Sequence, residues 1–130
     1  MAELATHPIH LGLGATAVIL PKFTGEMAWY EAYASAHGTD GAEGRLVTLH
    51  SFSESWTSWE MHPLGAEVVV CTAGRMTVIQ EQPDGSTLTT LLSAGDYAIN
   101  APGVWHTADI EKEATALFIT AGWGTEHRPR

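Results

Sequence analysis

The part of the sequence that most restricts the fold runs from Arg45 to Ala121 and consists of short segments rich in β-branched and aromatic residues. The segments cover residues 45–52, 56–62, 67–72, 75–82, 86–92, 97–100, 105–110 and 114–121. Gly and Pro residues punctuate them, and the sequence Pro83-Asp84-Gly85 predicts a tight turn. Strands this short and this closely spaced, with no helices between them, are typical of antiparallel sandwiches and barrels. The sequence therefore predicts an all-β fold rather than a parallel α/β fold.

The first 44 residues follow a different pattern. Residues 1–12 are expected to form an irregular arm, and the apolar run 15–20 predicts a first strand. Aromatic and apolar side chains in residues 26–37 recur at helical spacing, which predicts the one helix of the chain. Thr24 can cap the start of this helix, and Gly38 can end it.

The last segment, residues 122–130, is not expected to form a regular element alone. Trp123 would expose a large apolar surface in a frayed tail, so we expect the tail to dock on its own barrel or on a second subunit. The chain is thus predicted to be one structural domain. Residues 1–44 form an arm, a first strand and a helix that packs on the barrel, residues 45–121 form the barrel, and residues 122–130 form a tail.

Composition and charge exclude several classes of protein. A chain of 130 residues that is 45% hydrophobic can bury one sizeable core. Fifteen acidic and six basic residues give a formal charge of -9, which disfavours binding to nucleic acid or to an anionic membrane. No apolar run reaches transmembrane length and the N-terminus lacks the pattern of a signal peptide, so we expect a cytoplasmic protein. The single cysteine, Cys71, follows three valines, which predicts a buried, unreactive thiol.

Polar side chains that could carry chemistry lie on one face of a predicted strand. Side chains alternate along a strand, so Trp56, Ser58, Glu60 and His62 share one face. A carboxylate and an imidazole two residues apart on that face can both reach a single ion or ligand. A short turn follows His62, and Glu67 opens the next strand, where it can face the same point.

Two spaced motifs resemble those of the cupin superfamily. The first motif of that family is His-x-His, three or four residues, Glu, six residues and Gly. Its counterpart here is Glu60-Met61-His62, four residues, Glu67, six residues and Gly74. The second is Gly, five residues, Pro-x-Gly, two residues, His, three residues and Asn. The matching segment begins at Gly95 and ends with Ala101-Pro102-Gly103-Val104-Trp105-His106, with the proline shifted by one position.

The resemblance implies an antiparallel double-stranded β-helix, or jelly-roll barrel, that holds a divalent metal at its mouth. By position, His62, Glu67 and His106 take three of the usual ligand places. Glu60 stands where the family usually has its first histidine, and Ile110 replaces the closing Asn. Two histidines and two carboxylates would suit iron(II), manganese, nickel or zinc.

Three roles are open for Glu60 at this stage. It can bind the metal as a fourth ligand, or it can stay off the metal and act as a general acid or base whose pKa is raised by burial. In the third case the metal is lost and the four polar side chains bind a ligand directly. Glu60 is therefore also the candidate catalytic residue.

The aromatic and histidine residues around these ligands complete the prediction. His50, Trp56, Trp59 and Trp105 are the candidate walls of a small-molecule pocket. The remaining histidines lie in predicted arms or at the end of the helix and are not expected to be ligands: His7, His10, His37 and His127.

Three functions are compatible with this pattern. The first is a metal-dependent enzyme acting on a small organic molecule, of the dioxygenase, decarboxylase, isomerase or lyase class. The second is a non-catalytic ligand-binding or sensor domain, and the third is a metal-free epimerase-like or sugar-binding barrel. Because cupin-like domains often pair, the resemblance also implies a homodimer.

Overall fold

The computed structural model describes residues 2–130, which form ten antiparallel strands and one α-helix. The helix α1 spans Met27–His37, and short 3-10 turns cover Leu13–Ala15 and Gly38–Glu43. The strands are β1 Ile9–Gly12, β2 Thr16–Ile19, β3 Arg45–Phe52, β4 Ser58–Met61, β5 Glu67–Glu81, β6 Thr87–Ser93, β7 Tyr97–Asn100, β8 His106–Asp109, β9 Ala114–Thr120 and β10 Glu126–Pro129. This architecture confirms the predicted all-β jelly-roll barrel with one N-terminal helix.

The long strand β5 connects the two halves of the barrel. Its first half pairs with β7 and β9, and its second half pairs with β6 and β8. The prediction of two separate strands, 67–72 and 75–82, was therefore wrong. A register shift between Cys71 and Ala73 bends the strand without ending it, and Gly74 adopts a φ of 70° just after the bend.

The two ends of the chain extend the sheet. The predicted irregular arm contains β1, which pairs with both β2 and β3. At the other end, β10 in the tail pairs with β4. The tail strand β10 is not evident from the local sequence because its partner is distant along the chain, whereas β1 pairs both with the nearby β2 and with the distant β3. The tail thus docks on its own barrel.

Aromatic and charged contacts hold the C-terminal tail in place. The guanidinium carbon of Arg128 lies 4.6 Å from the ring centre of Trp105 and 5.1 Å from that of Trp59, and the same group pairs with Glu81. A second ion pair joins Arg130 to Asp109 at 2.7 Å. These contacts place β10 beside the strand that carries Glu60.

The main apolar core lies between the two halves of the barrel. Its buried members are Val69, Cys71, Met76, Val78, Leu92, Ala108, Ile110, Ala114, Ala116 and Phe118. A second cluster of Leu20, Trp29 and Tyr33 packs the helix against the sheet, with Trp123 from the tail alongside. Within residues 2–130, no helix is long and apolar enough to cross a membrane.

Candidate metal centre

Four side chains from three neighbouring strands converge inside the barrel. Glu60 lies near the end of β4, and His62 follows directly after that strand. Glu67 is the first residue of β5 and His106 is the first residue of β8. Because β4 pairs with β8 at Glu60 and His106, and the turn after His62 brings Glu67 back, the fold gathers all four groups at one point.

The two histidine rings direct their Nε2 atoms into this cluster. Nδ1 of His62 is 2.7 Å from the hydroxyl of Thr125, and Nδ1 of His106 is 3.1 Å from the carbonyl of Val104. These partners fix the orientation of each ring. Both Nε2 atoms are buried, and neither makes a well-aligned hydrogen bond. Their nearest polar neighbours are the carboxylate oxygens of Glu67, at 3.1 Å for His62 and 3.2 Å for His106. Two buried ring nitrogens whose only close partner is one shared carboxylate are unusual, because buried polar groups are normally fully hydrogen-bonded.

Glu67 lies between the two histidines and is almost completely buried, with 3% of its surface exposed. Its Oε2 is 3.1 Å from Nε2 of His62, and its Oε1 is 3.2 Å from Nε2 of His106. Asn100 Nδ2 donates to Oε1 at 3.1 Å, and the hydroxyl of Thr120 donates to Oε2 at 2.7 Å. Burial alone would raise the pKa of Glu67, but the short contacts with His106 and His62 outweigh burial and lower it. The carboxylate is thus held ionised and fixed in direction.

Glu60 occupies the more open side of the cluster. Its Oε2 lies 3.9 Å from Nε2 of His62 and 3.8 Å from Nε2 of His106. Its Oε1 is 3.2 Å from Nε2 of His127, which belongs to β10. Burial favours a raised pKa, as expected from the sequence, but contacts with His106 and His62 reverse this and lower the pKa of Glu60. Of the three roles open for Glu60, the acid or base with a pKa raised by burial is therefore contradicted, because the two neighbouring imidazoles outweigh burial.

Burial and the charges of the two glutamates also shift the pKa values of nearby histidines. Burial opposes protonation of His106, but Glu60 and Glu67 outweigh burial and raise its pKa to about 9. Burial lowers the pKa of His50, and the charge of Glu60 only partly opposes this effect. The cluster thus places two acids around two imidazoles, so a cation at this point would meet concentrated negative charge.

The predicted pocket walls divide between two locations. The ring of Trp56 lies 6.4 Å from that of His106, and His50 is close enough to be influenced by Glu60. In contrast, Trp59 and Trp105 contact Arg128 of the tail. Because successive side chains of a strand alternate, these two residues point away from the face of their neighbours Glu60 and His106. The structure does not bring the four residues into one pocket.

Several residues near the cluster had no role in the sequence prediction. Asn100 and Thr120 orient Glu67, Thr125 orients His62, and His127 contacts Glu60. Tyr30 on the helix is also affected by Glu60. Burial is the main cause that raises the pKa of its phenol, and the negative charge of Glu60 adds to this effect. None belongs to a recognisable motif. The strand pairing of the tail would have been the only signal for His127.

The donor set fits a divalent metal ion. One ligand atom each from Glu60, His62 and His106 lies within 4.8 Å of the other two. A cation between the two Nε2 atoms and the carboxylates would complete the bonding of both nitrogens, which make no well-aligned hydrogen bond, and the contacts of each Nδ1 atom already set both ring orientations. Imidazole nitrogens with carboxylate oxygens suit zinc, iron(II), manganese and nickel.

Comparison with known proteins identifies the fold. No protein-family model matches the sequence, and no curated protein matches it. A cupin-2 domain containing protein from Shewanella frigidimarina is 19% identical, with a TM-score of 0.50 over 66% of this chain and 71% of that chain. A cupin superfamily protein from Desulfitobacterium hafniense is 16% identical, with a TM-score of 0.50 over 58% of this chain and 65% of that one.

A third structure shares the fold over a longer part of the chain. A recombinant oxalate oxidase in complex with glycolate is 17% identical, with a TM-score of 0.59 over 72% of this chain and 50% of that chain. The present chain therefore spans about half the length of that protein. At these identities the comparisons show the architecture alone.

Proposed function

We propose that this chain, whose barrel has the cupin fold, binds one divalent metal ion through His62, His106, Glu60 and Glu67, and acts there on a small organic molecule. The observation that carries the proposal is the convergence of two buried Nε2 atoms, on His62 and His106, on the same carboxylates without a well-aligned hydrogen bond. Both atoms lie close to carboxylate oxygens of Glu67, and the Nδ1 atoms of the two rings are held by Thr125 and Val104.

The protein groups around the ion have distinct tasks in this proposal. A bound divalent ion supplies Lewis-acid polarisation of a substrate oxygen. Glu67 stays ionised and fixed by Asn100 and Thr120, so it balances the charge of the cation. Glu60 lies on the more open side, with 29% of its side chain exposed. A substrate thus approaches past Glu60, with Trp56 as an apolar wall.

The substrate class follows from the chemistry of the side chains around the cluster. The acids and imidazoles leave a polar centre, and Trp56, Phe52 and Phe118 form a connected aromatic group beside it. A small molecule with one metal-binding oxygen and a compact apolar part suits this environment. The oxalate oxidase that shares the fold provides one example of a cupin barrel associated with a small carboxylate.

The test of metal binding is calorimetric titration with Mn²⁺ and Zn²⁺, together with elemental analysis of the purified protein. We expect the double variant His62→Ala/His106→Ala to lose one equivalent of bound metal relative to the native chain. The variant His7→Ala is the matched control, because the imidazole of His7 hydrogen-bonds Thr6 and lies outside the cluster. Equal metal content in the native and double-variant proteins contradicts the proposal.

A metal-free proton-transfer barrel is the second candidate. The contact between Glu60 Oε1 and His127 Nε2 favours it, because it provides a carboxylate and an imidazole beside each other at the more open side. In that case the native chain turns over its substrate in the presence of a chelator. Activity that disappears with chelator and returns with added metal supports the metal enzyme instead.

A further inference from the structure

A second cluster of possible ligands lies outside the barrel mouth, where β1, the C-terminal end of α1 and the following 3-10 turn meet. One ligand atom each from His10, His37 and Asp40 lies within 4.8 Å of the other two. None of these residues belongs to the candidate metal centre, and they lie on different elements from its four residues. We propose that His10, His37 and Asp40 form a second divalent-cation site, of the type that binds zinc.

His10 is the fixed member of the cluster. It is 1% exposed, its Nδ1 lies 2.6 Å from the hydroxyl of Tyr33, and its Nε2 lies 2.6 Å from Oδ2 of Asp40. A hydroxyl can accept a hydrogen bond from Nδ1–H, and in that tautomer the lone pair of Nε2 points towards Asp40, where a cation could replace the proton shared by Nε2 and Oδ2. The phenol of Tyr33 thus has the position of the outer partner that orients a metal-binding histidine.

The backbone of Gly12 lies close to the point where the polar atoms converge. A Cβ atom added at Gly12 would lie 2.7 Å from Oδ2 of Asp40, 2.7 Å from the hydroxyl oxygen of Thr16 and 3.2 Å from Nε2 of His10. A carboxylate oxygen, a hydroxyl oxygen and a ring nitrogen therefore face this backbone position, and only a glycine lets them approach it so closely. The backbone of Gly12 is extended, with a φ of -111°, so left-handed geometry is not the reason for glycine at this position.

The surrounding structure holds the ligands at this point. The indole of Trp123 donates a hydrogen bond to the carbonyl of Gly41 at 2.9 Å, and its ring stacks on Tyr33 at 5.0 Å. The rings of His10 and His37 lie 4.2 Å apart. The tail thus fastens the turn that carries Asp40 onto the helix that carries His37.

The donor chemistry selects the class of ion. Two imidazoles and one carboxylate are a common set for zinc, and they leave a fourth position for water or for the hydroxyl of Thr16. Asp40 and His37 are partly exposed, so an ion can enter from solvent. The bound ion would clamp α1 and its following turn onto β1.

The experiment measures zinc binding in a chain whose barrel site is disabled. In His62→Ala/His106→Ala we expect one equivalent of Zn²⁺ to remain, and we expect this equivalent to disappear when His37→Ala and Asp40→Asn are added. Visible absorption of Co²⁺ bound in the same variants reports tetrahedral coordination by nitrogen and oxygen. Circular dichroism checks that each variant is folded. If the barrel variant does not fold, the native chain is compared with His37→Ala/Asp40→Asn, which should bind one equivalent fewer.

Gly12→Ala provides a second test that keeps all three ligands. Its new methyl group would collide with Oδ2 of Asp40 and the hydroxyl of Thr16 and displace the carboxylate ligand, so we expect Zn²⁺ affinity at this site to fall at least tenfold. The control is Gly38→Ala, where an added Cβ meets no atom within 4 Å. The proposal is overturned if the barrel variant binds no Zn²⁺ at this site, or if the added His37→Ala/Asp40→Asn pair leaves its zinc content unchanged. Loss of metal from the barrel alone would leave this site intact, so the two proposals fail separately.

Discussion

Replacing Gly74 by alanine tests how the long strand β5 bends from one half of the barrel to the other. Gly74 has a φ of 70°, and a Cβ at this position would lie 2.2 Å from the carbonyl oxygen of Glu113 and 3.0 Å from Cα of Ala114. These are backbone atoms at the start of the neighbouring strand β9, in which Ala114 pairs with Gly74. The methyl group therefore cannot be accommodated by a side-chain rotation, and the strands must separate.

Two costs and one smaller gain determine the expected loss of stability. The left-handed backbone costs an alanine about 1–2 kcal/mol, and overpacking against fixed atoms costs roughly 1–3 kcal/mol more. The reduced entropy of the unfolded alanine chain returns about 0.4–1 kcal/mol. The free energy of unfolding should thus fall by about 1–5 kcal/mol, a substantial part of the roughly 5–15 kcal/mol available to a domain.

Gly85→Ala is the matched control for this experiment. Gly85 has a φ of 85°, but an added Cβ there meets no atom within 4 Å. It therefore carries the backbone strain without the clash, and we expect a loss of only about 1 kcal/mol. Urea unfolding followed by circular dichroism measures both values. A Gly74→Ala loss within about 0.5 kcal/mol of the Gly85→Ala loss would refute the reasoning, because the clash would then contribute nothing.

Three further predictions address the metal centre, the thiol and the tail. Thr120→Val removes a donor to Glu67, so calorimetry should show metal affinity about 10–100-fold weaker; an unchanged Kd contradicts this role. Burial raises the pKa of the Cys71 thiol, so less thiolate is present at a given pH. Labelling by a disulfide reagent should be slow in the native protein, faster as pH rises, and rapid in urea; equal rates with and without urea would contradict burial. Arg128→Ala removes contacts with the rings of Trp59 and Trp105. It should destabilise the chain by about 1 kcal/mol and speed amide exchange in β10, whereas unchanged exchange would show that the tail is held by other contacts.

The main barrel could be predicted because its signals are local. The segments 45–52 and 97–100 carry their own alternation and turn residues, and they coincide with β3 and β7. The strand β1 and the tail strand β10 could not be predicted in this way. Both are only four residues long. The tail strand β10 pairs with the distant β4, and β1 pairs with Arg45 to Val47 as well as with the nearby β2.

The same distinction applies to the site. The spacing of His62, Glu67 and His106 indicated a common location, and the structure brings these residues together. The ionisation of Glu60 depends on its distances to two imidazoles, so sequence reasoning could not weigh these contacts against burial. The roles of Trp59 and Trp105 depend on Arg128 of the tail, and this contact exists only once β10 pairs with β4. The cytoplasmic location and the homodimer stay predictions.

The most direct test of the central claim is an anomalous difference map from crystals of the native protein soaked in Zn²⁺ or Mn²⁺. We predict a peak about 2.0–2.2 Å from Nε2 of both His62 and His106, with a carboxylate oxygen of Glu60 or Glu67 completing the coordination. A map with no peak at this cluster, while both rings keep their contacts to Thr125 and Val104, would contradict the claim that the Nε2 atoms of His62 and His106 are metal ligands.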